Sequence, residues 1–132
     1  MPALNFQKRF VADVESGKKP HTIRPMRKRP FRVGDRLYLK TGQQTKHCRS
    51  FGETDCTRVD GIRIYSDDRI VIVNGLPLQE KSNIIDKPLD IESLALNDGF
   101  KDVDSFFEFF GPRYNFDFQG QIIWWDPEKI ER

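Results

Sequence analysis

Ser16-Gly17-Lys18-Lys19-Pro20-His21-Thr22-Ile23-Arg24 is the stretch on which the fold reading turns, because a helical pattern stops there and an extended one starts. Ahead of it, Leu4, Phe6, Phe10, Val11 and Val14 recur at spacings of three and four, which predicts one amphipathic helix with Gln7, Lys8, Asp13 and Glu15 on its polar face. Gly17 can take the left-handed conformation that a helix end requires, and Pro20 keeps Lys19 out of the α region, so the chain leaves extended. In that extended segment Thr22 and Arg24 share one side, and His21 and Ile23 the other. Lys19 precedes the regular alternation, so parity leaves its direction open; it can join Thr22.

Working outward, Arg36-Leu37-Tyr38-Leu39-Lys40 alternates with period two and reads as a strand entered through the Val33-Gly34-Asp35 turn. Thr41 to Asp55 is polar and reads as a long loop of the kind that carries function. Two strands follow, Thr57 to Tyr65 and Arg69 to Val73, joined by a turn at Ser66-Asp67-Asp68, with Ile62, Ile64, Ile70 and Ile72 expected to face one core. Gly75 to Pro88 reads as irregular. Asp90 or a neighbour caps a short helix through Leu94 and Leu96 that Gly99 ends; Asp102 or Asp104 starts a second, carrying Phe106, Phe107 and Phe110 and ended by Gly111-Pro112. Gln119 to Trp125 closes the series as a strand with Ile122 and Trp124 on one face and Ile123 and Trp125 on the other. This order predicts an α+β domain, a small mixed β-barrel with helices packed around it, and argues against a doubly wound parallel sheet.

With 132 residues, 37% of them hydrophobic, the chain suits one domain spanning residues 1–132. No apolar run has the length of a membrane span, so no membrane partner and a cytoplasmic location are expected. The two cysteines, Cys48 and Cys56, are expected as reduced thiols. The net charge of +2 conceals a division: residues 1–49 hold 13 Lys and Arg against 3 Asp and Glu, and residues 50–132 hold 9 against 17. The densest basic segment is Arg24, Arg27, Lys28, Arg29 and Arg32, which suits an anionic partner such as RNA or, equally, pairing with the acidic part of the same domain.

The pattern Gly17-x-Lys19-xxxx-Arg24 resembles the GxKxxxxR signature of the ASCH domain family, whose fold is similar to the PUA barrel. Phe31-x-Val33-Gly34-Asp35-x-Leu37-x-Leu39 resembles the segment that follows the signature in such domains, and Asn97-Asp98-Gly99-Phe100 their acidic-Gly-Phe junction, where Glu is usual in place of Asp98. Phe6-Gln7-x-Arg9-Phe10 and Thr22 extend the likeness to the branch that hydrolyses N4-acetylcytidine; together these elements span about residues 4 to 125.

The resemblance implies a modified pyrimidine nucleoside or RNA base as ligand and hydrolysis of the exocyclic amide of N4-acylcytidine. It assigns Lys19, Thr22 and Asp98 to catalysis and Gly17, Arg24 and Arg27 to substrate binding. Residue chemistry is compatible: an amine whose pKa is lowered by burial or by neighbouring cations can take a hydroxyl proton, and a carboxyl group can protonate a leaving amine. The competing reading makes Thr22 a strand residue and Lys19 and Asp98 solvated charges. Asp98 is also one methylene shorter than the usual Glu. His21, His47, Cys48 and Cys56 lack the paired spacings of a zinc site, so neither a metal nor another cofactor is expected. The alternative function is a non-catalytic RNA-binding or regulatory module that uses Arg24 to Arg32.

Overall fold

The amphipathic stretch ahead of Gly17 is two elements rather than one. In the computed structural model, which describes residues 3–42, 46, 48–80 and 90–132, Ala3–Phe6 is a strand (β1) and the helix (α1) covers only Lys8–Ser16. Leu4 and Phe6 stand two apart, which is the period of a strand face and not of a helix face, and a pairing partner completes the assignment. That partner is the strand Arg36–Thr41 (β3), parallel to β1 with Leu4 opposite Leu39. Gly17, at φ 85°, ends α1 as expected, and His21–Pro25 is extended (β2).

The polar segment expected as a loop is largely strand. Arg49–Tyr65 runs as one 17-residue strand, β4, whose first part pairs antiparallel with β3. Its polar residues fill the outward positions of a half-exposed ribbon while Phe51 and Thr54 point inward, so low hydrophobicity there marked an exposed face, not a loop. The second part of β4 pairs with Phe118–Trp125 (β7), with a register shift between Cys56 and Arg58. Its end turns through Ser66 to Arg69 into Ile70–Val73 (β5).

The turn into β5 holds one residue more than expected, because Arg69 lies in it with φ 54°. Ile64 therefore faces Val71, and Val71 is buried with Ile62 and Ile64 while Ile70 lies 40% exposed. A one-residue change exchanges the two faces of a strand. Leu76–Pro77 (β6) adds a short edge to β5. The remainder of the segment expected as irregular, and His47, include residues outside those described.

Helices α2, Ile91–Asn97, and α3, Val103–Phe110, are capped by Asp90 and Asp102, whose carboxylates accept from the N–H groups of Ser93 and Ser105. Phe106, Phe107 and Phe110 are buried, Phe106 and Phe110 with ring centroids 5.0 Å apart.

The molecule is thus α+β, with seven strands in one mixed sheet: the order is β1-β3-β4-β5-β6, and β7 joins β4 to β2. Among the described residues this ladder does not close. Its end strands β1 and β2 are tied instead by a side chain, Arg24 Nη2 donating to the Asn5 carbonyl at 2.8 Å. The core lies on both sides of β7: Ile122 and Trp124 pack with α2, α3 and β5, and Ile123 and Trp125 pack with α1, β1 and β3. The parity read from the sequence for this strand is the parity found. Among the described residues no helix is long and apolar enough to cross a membrane.

Candidate active site

The site forms where α2 ends. Asp98 is the C-terminal cap of that helix, its N–H bonded to the Leu94 carbonyl, and Gly99 at φ 98° turns the chain away. The last carbonyls of a helix lack intrahelical donors and mark the negative end of its dipole. Lys19 supplies the donor: its Nζ lies 2.7 Å from the Asp98 carbonyl and 2.8 Å from Asp98 Oδ1. One amine therefore caps the helix and pairs with its terminal carboxylate, so the shorter Asp reaches without difficulty. Both groups are buried, Lys19 at 3% exposure and Asp98 at 5%.

Burial pushes the Lys19 ammonium below its ordinary pKa, outweighing Asp98, which holds it up; the charge of Arg24 lowers it further. The Phe10 ring lies beneath the amine, 5.2 Å from ring centroid to Nζ. Phe10 itself is pressed against Gly99: a Cβ there would stand 2.6 Å from Phe10 Cε1, so only glycine allows this approach.

Lys19 does not bond to Thr22. Alternation runs back through Pro20, and Lys19 joins His21, whose Nδ1 lies 3.2 Å from the same Asp98 Oδ1. A carboxylate can only accept, so in this bond the hydrogen belongs to Nδ1. His21 is fully buried, and its Nε2 has no partner among the described residues. Thr22, also buried, accepts from Arg24 Nε at 3.2 Å on the other side of β2. Arg24 then reaches across to Asn5 and lies over the Phe6 ring at 5.0 Å. Its own pKa is lowered by burial, with Asp98 opposing.

Two expected binding residues stand elsewhere. The Gly17 N–H is spent on the Val14 carbonyl and that of Lys19 on the Asp13 carbonyl, so neither amide can hold a developing oxyanion. Arg27 is exposed, its guanidinium 4.3 Å from the Phe31 ring centroid and outside this cluster.

His21 is the participant that sequence reasoning left out. The available signal was its separation of two from Lys19 on an extended chain, which puts both on one side. Cys48 is exposed and Cys56 buried, both as free thiols. Among the described residues no group of three His, Cys, Asp or Glu side chains could hold a metal ion.

Chemically, the cluster holds an amine inclined toward neutrality, a carboxylate, a hydroxyl and a guanidinium around one end of β2. Asp98 Oδ2 takes no hydrogen bond among the described residues. No family model, curated protein or solved structure matches this chain.

Proposed function

We propose that this protein is an ASCH-like domain with PUA-like architecture that hydrolyses the exocyclic amide of an N4-acylated cytidine. The observation that carries the reading is the buried Lys19–Asp98 pair, which joins positions 79 residues apart at the end of the strand that bears Thr22 and Arg24. In this reaction Thr22 Oγ1 attacks the acyl carbon. Arg24 Nε already donates to that oxygen, which leaves the hydroxyl hydrogen free for a base. Lys19 in its neutral form takes the proton through one bridging water, since the amine bonds to Asp98 and not directly to Thr22. Arg24 balances the negative charge that grows on the acyl oxygen, the task that the Gly17 amide cannot perform. A proton returned through Asp98 Oδ2 lets cytosine depart as the amine, and water then releases the acyl group from Thr22.

The test is release of cytidine from N4-acetylcytidine, followed by absorbance. Lys19→Ala is expected to lower kcat by about 100-fold or more, the scale of a positioned base. Thr22→Ser keeps part of the activity and Thr22→Ala does not. Wild-type turnover at the buffer rate, or an unimpaired Lys19→Ala variant, overturns the assignment.

A second reading has its own observation. Arg27, Lys28, Arg29 and Arg32 are all exposed, and among the described residues none makes an ion pair. That leaves a basic surface available to RNA phosphates, either alone or beside the reaction.

A further inference from the structure

We propose that His21 is a positioning residue: it fixes the rotation of the Asp98 carboxylate so that Oδ1 stays on Lys19 and Oδ2 is presented to substrate. This rests on the amidohydrolase reading for its catalytic consequence, although the arrangement itself does not depend on it.

Three observations carry the inference. Oδ1 of Asp98 takes two donors, Lys19 Nζ at 2.8 Å and His21 Nδ1 at 3.2 Å, while Oδ2 takes none among the described residues. Two donors at one oxygen fix the plane of the carboxylate more tightly than the Lys19 amine alone, whose other bond goes to the Asp98 carbonyl. The imidazole is itself clamped. Trp124 lies opposite His21 in the β2–β7 pairing, with ring centroids 4.4 Å apart in an edge-on arrangement. Trp124 is pinned in turn, its Nε1 donating to Asp60 Oδ2 at 2.9 Å, and the buried Asp60 also accepts from Asn74 and Arg58. The third observation is the partnerless Nε2. A buried imidazole nitrogen without a hydrogen-bond partner costs free energy, which the ring recovers in part through its bond to Asp98. Donation to Asp98 thus places a hydrogen on Nδ1 and leaves Nε2 facing no acceptor among the described residues.

The ring geometry provides the test. An asparagine amide nitrogen falls near the place of Nδ1, and a glutamine amide nitrogen near that of Nε2. We expect His21→Asn to keep most of the wild-type kcat, and His21→Gln and His21→Leu to lose about tenfold or more with KM within about twofold, the signature of a misaligned group and not of lost binding. A packing role alone would treat Asn and Gln alike. Equal activity in all three variants, or rescue by Gln and not Asn, overturns the proposal.

Nitrogen-15 NMR of the wild-type imidazole gives a readout free of both activity and mutation. Hydrogen on Nδ1 with a bare Nε2 supports the assignment, and the opposite tautomer refutes it. If wild type fails to hydrolyse N4-acetylcytidine, the amidohydrolase reading falls, while this spectrum still decides whether His21 holds Asp98.

Discussion

Lys19 carries a charge into a place that water barely reaches, and the consequence is a stability that depends on alkaline pH. Its native pKa lies below the ordinary value of 10.5, mainly through burial. Between the two values the native state has released a proton that the unfolded chain still holds, so stability rises with pH across that window. Wild type should therefore gain stability relative to Lys19→Met as pH climbs toward 10.5. Urea midpoints taken from neutral pH upward measure this, and parallel curves for the two proteins would contradict it. The partners of Lys19 were legible unequally. Asp98 came from the resemblance of Asn97-Asp98-Gly99-Phe100 to a family junction, since no local pattern spans 79 residues. His21 was accessible to parity, but the proline between it and Lys19 broke the regular pattern before the alternation ended.

The helices and the closing strand could be read because their signals are local: Asp90 and Asp102 as caps, Gly17 and Gly99 as ends, and strict alternation through Gln119 to Trp125. The pairing of β1 and the first part of β4 could not, because in both places a partner distant in sequence decides the conformation. The β4–β5 turn shows how far a single residue carries. Arg69 belongs to the turn, and the buried face of β5 passes from Ile70 and Ile72 to Val71. Val71→Ala is expected to cost about 2 kcal/mol and Ile70→Ala less than about 0.5, measured by urea denaturation. The reverse order would mean that β5 pairs in the register first expected from the sequence.

Charge is distributed unevenly along the chain, and the fold does not cancel it locally. Besides Lys19 and Arg132, the ion pairs of the described residues draw on Arg36, Arg58, Arg63 and Arg69, which hold carboxylates such as Glu53, Asp60, Asp117 and Asp104, and not on the segment from Arg27 to Arg32. If that segment meets RNA, four phosphate contacts would give a loss of about 50-fold in affinity for a short single strand between ~50 and ~200 mM salt. Replacing Arg27 and Arg29 by Ala should roughly halve the salt slope. Anisotropy titrations with labelled RNA measure both, and absence of binding at low salt removes the nucleic-acid reading. The +2 net charge, taken alone, conceals this surface.

The burial of both faces of β7 has a consequence for how the molecule comes apart. Ile122 and Ile123 are adjacent and both fully buried, one in each cluster, and the same strand backbone is hydrogen-bonded to β2 on one side and β4 on the other. Neither half of the interior can open without stripping a wall from the other. Partial unfolding that exposes only the helix-bearing side is therefore penalised twice, and the amides of β7 are expected in the slowest class of hydrogen exchange, released only when the whole domain unfolds. Thr22 opposes Ile123 across that strand, and His21 opposes Trp124. The candidate site is thus anchored to the strand expected to let go last.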